Sequence, residues 1–572
     1  MTARWDIFRS PPELRDELSK NLEIPPLVAH LLIKRGITDL RGGERFLSPL
    51  LQHLHDPFLM KDMDKGADRL VQTVLNKESI TIYGDYDVDG ITACSLLVDF
   101  LSSLGVKPAY YIPHRLKEGY GLNADAVKKI AANGTQLLIC VDCGISDREE
   151  IQLAQQLGMD TIVVDHHEAP PLPAPAYAVL DPLQPDCHFP FKGLAGVGVA
   201  FYLAIALRSR LRDGGFWRDE PEPNLHCYLD LVALGTVADI VPLMDVNRVL
   251  VKHGLKELED SMRTGIVALK EVSGIGTEEI STGHVAFRLA PRINAGGRIA
   301  SGQMGVELLL AQEYERAYRI SSELDQANRE RQGIEERTYQ EAKAMIGRDD
   351  LLDRRSIVLS SDAWHPGVIG IVASRLAEEF WRPTILIAWD GDTGKGSARS
   401  IAGFHIYEGL QACEKHLIGF GGHKYAAGLT TSRDMINNFR EKFEQIVIKK
   451  ISDENVSPTI SVDAEVDLSE ITPELLTYLN LFPPYGPSNT KPVFSTRERL
   501  PITDIKTMGR NTLKFLIREN KRTYEAIGFD MGHLSPQLTS HIKIAFHPRI
   551  HEWQGVQRLQ LEVRDLETDN EV

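Results

Sequence analysis

Apolar positions along the chain follow three rhythms. Between residues 76 and about 170, unbroken apolar runs (SITIYGD, QLLICVD, DTIVVDHH) alternate with stretches whose apolar residues recur every three or four positions (GITACSLLVDFLSSLG, NADAVKKIAANG, SDREEIQLAQQLGM). Continuous apolar strands between amphipathic helices predict a parallel sheet covered on both faces. The short KPAYYIP reads as a further extended segment. From Val306 to Ile346 the sequence is highly charged, nearly free of Gly and Pro, and apolar at helical spacing, which predicts one long helix joining two domains. A second α/β unit follows (RSIVLSSDAWHPGVIGIVASRL, PTILIAWDG) and ends near Lys450. Beyond Pro458, ISVDAEVDL, TLKFLIREN, RTYEAIGFD, SHIKIAFHPRIHEW and VQRLQLEVRDLE alternate apolar and polar residues, predicting five or so antiparallel strands and a small β-barrel of the OB type. The predicted organisation is α/β. A helical segment (1–75) precedes a parallel-sheet domain (76–305), the connecting helix (306–347), a second α/β domain (348–452) and the barrel (456–572).

A length of 572 residues suits three or four domains. Six scattered cysteines fit a reducing compartment, so a cytoplasmic location is expected. The stretch MTARWDIFRSPPELRDEL has no apolar signal core, and no apolar run approaches the ~18 residues of a membrane span. Net charge is 64 − 80 = −16, which argues against a broad basic surface coating nucleic acid but leaves room for a narrow basic channel.

The chemistry sits where the predicted strands end, which is where ligands bind in such sheets. One strand runs into GDYDVDG, bringing Asp85, Asp87 and Asp89; another ends at Asp142 in CVDCG; a third ends in Asp165, His166 and His167. A further contribution comes from LVALGTVADIVPL, in which Asp239 is the only charge. Blander readings fit poorly. DYDVDG opens like a calcium loop, but the twelfth position is Leu96 where a bidentate glutamate belongs. The C-x-x-C of Cys140 and Cys143 has no second pair to complete a zinc site. A lone His-His pair is more often a capping pair than a ligand. Acids converging on one edge, however, repel one another unless cations hold them together. Carboxylates with imidazole suit Mg²⁺ or Mn²⁺. Two such ions about 3.5 to 4 Å apart would promote hydrolysis of a phosphoester.

GDYDVDG, VDCG, VVDHHE and GTVADIVPL, in this order and spacing, resemble the four motifs of the DHH phosphoesterase superfamily. PPLVAHLLIKRGI, IPHRLKEGYGL, APRINAGGRI, HPGVIGIVASRL, GKGSARS and FGGHKYAAGL extend the resemblance to its single-stranded-DNA-specific exonucleases. The resemblance implies 5′-to-3′ release of mononucleotides, dependence on two Mn²⁺ or Mg²⁺ ions, a role in DNA repair and recombination, and partners such as a RecQ-type helicase and single-strand-binding protein. It also implies a metal set of Asp87, Asp89, Asp142, His166 and Asp239, with Asp142 bridging. Asp85 and His167 join them as catalytic residues, His167 beside the scissile phosphate and Asp165 orienting an imidazole. Ser397 and Arg399 in the Gly-rich GDTGKGSARSIAGF, with Arg115, would hold a terminal phosphate in a cleft between the two α/β domains. Arg292, Asn294, Arg298 and His423 are further candidates for backbone phosphates. Tyr83 stands where many superfamily members place a metal-binding histidine. A monomer is expected. The alternatives are a DHH phosphodiesterase for short oligonucleotides or cyclic dinucleotides, or a non-catalytic binding module. The barrel and long helix argue against the first, the intact acids against the second.

Overall fold

The computed structural model describes residues 4–115, 118–218, 221–299, 301–348, 353–451, 458–509, 511–553 and 556–568. It forms two compact units. One comprises 54–241 and 249–456; the other draws together 1–53, 242–248 and 457–572. The chain opens on a short strand, β1 (Arg4–Ile7), which belongs to the second of these.

The larger unit contains two sheets. The first is all-parallel, in the order β3-β2-β4-β5-β6: β2 (Ile80–Gly84), β3 (Ala109–Tyr111), β4 (Leu137–Val141), β5 (Asp160–Val164) and β6 (Ala178–Leu180). Central strands β2 and β4 are buried at every position, as continuous apolar runs require in a sheet covered on both faces. Tyr83, Leu138, Cys140 and Val163 pack in one core cluster with Ala126, Val127, Ile130 and Ile151 of the helices Ala124–Ala132 and Arg148–Gln156. The opposite face is covered by Val88–Ser103 and Gly196–Asp213, both largely buried.

The predicted single helix from Val306 to Ile346 is two helices, Gln303–Leu309 and Tyr314–Arg348. Leu308, Leu309 and Ala311 are all buried around the break. One straight helix would expose part of such an all-round apolar run, and the turn lets each of them reach the core. The far end of the 35-residue helix places Tyr339, Ala342 and Ile346 against the second sheet.

That sheet has the order β10-β11-β9-β8-β7: β7 (Ile357–Ser361), β8 (Thr384–Asp390), β9 (Thr393–Arg399), β10 (Gly419–Gly422) and β11 (Ala426–Ser432). Only β7 and β8 pair in parallel. The helix Ile436–Lys450 covers one face through Phe439, Phe443 and Val447, and Ile369–Phe380 covers the other through Val372 and Leu376.

In the smaller unit, β12 (Thr459–Val462), β13 (Ala464–Val466) and β14 (Phe494–Thr496) lead into a barrel made of β15 (Leu500–Met508), β16 (Thr512–Glu519), β17 (Arg522–Gly528), β18 (His541–Trp553) and β19 (Val556–Glu567). Pairing runs β15-β16-β17-β19-β18 and returns from β18 to β15, so the ring closes on five strands as in an OB-fold. Membership differs from the sequence expectation. β15 is a barrel strand that alternation did not reveal, whereas ISVDAEVDL supplies β12 and β13 outside the ring. The predicted helical segment 1–75 also divides. Met63–Asn76 lies in the larger unit, while β1 pairs in parallel with β12, and Val28, Leu31, Leu32 and Phe46 share a core with Phe482, Phe494, Phe515 and Phe546. The inserted piece 242–248 brings Arg248, whose guanidinium donates to the carbonyls of Phe46, Leu481 and Phe482.

Candidate metal centre

Register sets up the site. Gly84, Val141, Val164 and Leu180 are direct neighbours across β2, β4, β5 and β6, and each is the last residue of its strand. The next residue in every case is aspartate: Asp85, Asp142, Asp165 and Asp181. Four carboxylates thus stand in a row at the carboxyl edge of the sheet. After β2 the chain turns through Tyr86 so that Asp87 caps the helix Val88–Ser103, its Oδ1 accepting the N–H groups of Asp89 and Gly90. Asp142 holds a left-handed φ of 60°. That conformation is uncommon outside glycine, with Asp among the residues that tolerate it best.

Asp89, first turn of that helix, is 1 % exposed, and its two oxygens accept the N–H groups of Gly196 and Val197 at 2.6 and 2.8 Å. Gly196 must be glycine: a Cβ would lie 2.9 Å from Cβ of Asp142 and 3.1 Å from carboxylate oxygens of Asp142 and Asp89. His166 Nε2 lies 3.2 Å from Asp142 Oδ1, 3.5 Å from Asp239 Oδ2 and 3.7 Å from Asp89 Oδ2. Three overlapping donor groups result: Asp142, His166 and His167; Asp89, His166 and Asp239; Asp85, Asp87 and Asp142. Within each group the donor atoms lie within 4.8 Å of one another. The seven residues singled out as catalytic therefore converge, Asp85 among them.

Electrostatics shows what such a cluster lacks. Burial, reinforced by Asp87, pushes the Asp89 carboxyl up to about 7, and burial with the charges of Asp89 and Asp87 pushes Asp239 up to about 9. Asp85 and Asp142 are raised well above the carboxylate range for the same reasons, burial first and neighbouring acids second. Burial and the adjacent His167 lower His166 to about 4. Burial opposes charge on His167 too, but its contact with Asp165 outweighs it and raises the imidazole to about 9. Asp165 is thereby held below its ordinary value despite its own burial. Most tellingly, Asp85 Oδ1, Asp142 Oδ1 and His166 Nε2 are buried and meet no hydrogen-bond partner among the described residues. Buried polar atoms without hydrogen bonds are costly, and divalent cations fit them: hard oxygens with one or two imidazoles is the donor set of Mn²⁺ or Mg²⁺.

The other predicted residues fall into groups. Arg115, Ser397 and Arg399 assemble a basic notch. The Arg399 guanidinium donates to Ser397 Oγ and Ser374 Oγ at 3.0 Å and to the carbonyl of Ala398 at 2.9 Å. Burial lowers its pKa, and the nearby positive charge of Arg115 lowers it further. Neither arginine forms an ion pair with a carboxylate among the described residues. The charge of Arg115 is felt by both Arg399 and Asp85, and two guanidiniums in one neighbourhood suit an anion. Arg292 donates through Nε to Asp325 at 2.9 Å, which braces two helices. Asn294 Oδ1 accepts the N–H of Val88 at 3.2 Å and steadies the acidic loop. His423 is exposed in the β10–β11 hairpin, and the side chain of Arg298 lies outside the described residues. Tyr83 is wholly buried, stacked on Tyr111, and donates its hydroxyl to the carbonyl of Gly121 at 2.9 Å. Three participants escaped the sequence reading: Gly196, Asp181 and Tyr120, whose hydroxyl lies 3.2 Å from both ring nitrogens of His167. Asp181 was readable in principle as one more acid after an apolar strand.

Parallel sheet, acids at its carboxyl edge and a DHH triplet define the DHH class of phosphoesterase domains. The sequence matches the N-terminal domain of the DHH family over residues 79–236, the DHHA1 domain over 354–449 and the RecJ OB domain over 462–565. It is 38 % identical to the single-stranded-DNA-specific exonuclease RecJ of Bacillus subtilis, over 98 % of this chain and 70 % of that protein. It is 35 % identical to RecJ of Escherichia coli over 95 % and 96 % of the two chains. The crystal structure of RecJ from Thermus thermophilus in complex with Mn²⁺ superposes with a TM-score of 0.84 at 30 % identity, covering 100 % of this chain and 80 % of that one. The chain belongs to the RecJ family.

Proposed function

We propose that this chain is an exonuclease that degrades single-stranded DNA from the 5′ end into mononucleotides by metal-dependent phosphodiester hydrolysis. The observation that carries the reading is the set of buried donor atoms on Asp85, Asp142 and His166, clustered together with no hydrogen-bond partner among the described residues. Asp87, Asp89, Asp142, His166 and Asp239, joined by Asp85, would hold two ions; Asp142 and His166 each belong to two of the three donor groups, and of these a carboxylate with two oxygens suits a shared ligand, which favours Asp142. Bound Mn²⁺ or Mg²⁺ supplies charge neutralisation and Lewis acidity at the scissile phosphate.

The remaining steps belong to side chains. His167, kept charged by Asp165, donates toward the phosphate or leaving oxygen as negative charge develops. Arg115, Ser397 and Arg399 grip the terminal 5′-phosphate, which presets the first phosphodiester at the acids. The OB-type barrel holds more of the strand by stacking bases over a basic groove. Work in the reducing cytoplasm in DNA repair and recombination, beside a RecQ-type helicase and single-strand-binding protein, completes the proposal. The six cysteines are all free, which accords with that compartment, and among the described residues no helix is long and apolar enough to cross a membrane.

Purified protein with Mn²⁺ and labelled single-stranded DNA, duplex DNA, RNA and a cyclic dinucleotide tests the reading. Mononucleotides released from the 5′ end of single strands alone are expected. Cleavage of the cyclic dinucleotide with single strands left intact overturns it.

A further inference from the structure

Tyr86 lies between two acids of the donor set and is given no role by the motifs. Its ring lies under the Arg115 guanidinium, 4.9 Å from Cζ to centroid, within the range of a cation–π contact. Arg115 needs such a restraint. It sits on a loop beyond β3, it forms no ion pair with a carboxylate among the described residues, and it is drawn by the charge of Asp85 while repelled by that of Arg399. A long arginine free to swing loses much of its binding free energy in becoming ordered. Tyr86 itself is held in place. Gly297 packs so closely that a Cβ there would lie 2.7 Å from the Tyr86 carbonyl oxygen, and Asn294 fixes the backbone two residues on, at Val88.

We infer that Tyr86 is a positioning residue for end recognition: its ring holds Arg115 at a fixed offset from the metal-binding acids, so that the terminal 5′-phosphate and the first phosphodiester are registered by one short loop. This rests on the reading of Arg115, Ser397 and Arg399 as a phosphate pocket. Because Tyr86 follows Asp85 and precedes Asp87, any movement of the platform would be shared by the donors. The ring therefore acts on the distance between pocket and metal centre.

The test compares kcat/KM of the full chain, with Mn²⁺, on one oligonucleotide carrying either a 5′-phosphate or a 5′-hydroxyl. The ratio of the two cancels any disturbance of the metal centre, which strikes both ends equally. Tyr86→Phe, which keeps the ring, is expected to retain the wild-type ratio. Tyr86→Leu is expected to lower it about three- to thirty-fold, mainly through KM, and Arg115→Ala by at least as much. Tyr86→Met replaces the leucine variant if that chain does not fold. A wild-type preference that Arg115→Ala abolishes and the ring-less variant keeps overturns the positioning role alone. Wild type and Arg115→Ala that treat both ends alike overturn the pocket reading, and the role of Tyr86 with it.

Discussion

Nδ1 of His167 lies 2.7 Å from Oδ1 of Asp165, and that same oxygen accepts the backbone N–H groups of His166 and His167. The other oxygen accepts the N–H of Ile145. Asp165 therefore shapes the turn that presents both histidines and keeps one of them charged. Asp165→Asn should lower kcat on single-stranded DNA by about 10- to 100-fold, with a smaller effect on KM. Steady-state kinetics at saturating Mn²⁺ reads this, and an unchanged kcat would show that the charge on His167 is immaterial to the step.

Gly196 is the point of closest approach between the helix Gly196–Asp213 and the acids. An added methyl overlaps Asp142 and Asp89 together, and overpacking of a rigid site costs about 1–3 kcal/mol. Gly196→Ala should weaken Mn²⁺ binding by roughly 5- to 150-fold at that cost, as read by titration calorimetry. Unaltered affinity in a folded variant would mean that the helix can retreat.

Arg399 is half-buried among hydroxyls and a carbonyl, with no carboxylate partner among the described residues. Arg399→Ala should raise KM for 5′-phosphorylated ends selectively. Equal losses on phosphorylated and hydroxyl ends, measured side by side, would remove it from the pocket.

Asp147 gives a pH-dependent stability. Its Oδ2 accepts the N–H of Leu122, but burial raises the carboxyl to about 6. With a folded value above the unfolded 3.8, ionisation costs stability above pH 6. That cost fades as pH falls from about 6 toward 3.8. Asp147→Asn keeps an acceptor and sheds the charge, so it should stabilise the chain by up to about 2 kcal/mol at pH 7.5 and by little near pH 4. Urea midpoints at the two pH values test the sign; equal gains at both would assign the effect to something other than ionisation.

The parallel sheet could be read from the sequence because its strands are apolar without interruption, and the site because Asp85, Asp142 and Asp165 each follow such a run. What stayed hidden depends on distant partners. β15 places Lys506, Thr507 and Met508 outward in succession, so alternation is lost. The turn between Leu309 and Tyr314 answers to burial on several sides at once, which periodicity along one segment does not encode. Arg292 and Asn294 also engage Asp325 and the Val88 amide, partners remote in sequence that their motif does not announce. Tyr120 lies beyond any helical or strand rhythm, in the loop after β3.

The pairing of β1 with β12, and the core shared by Leu31, Leu32, Phe482 and Phe515, has a consequence for biosynthesis. Leu31 and Leu32 are completed by residues translated long after them. At 5–20 residues per second the opening helices wait roughly 20 to 90 s for their greasy counterparts. Throughout that interval the nascent chain carries an unburied apolar face, a natural foothold for a chaperone.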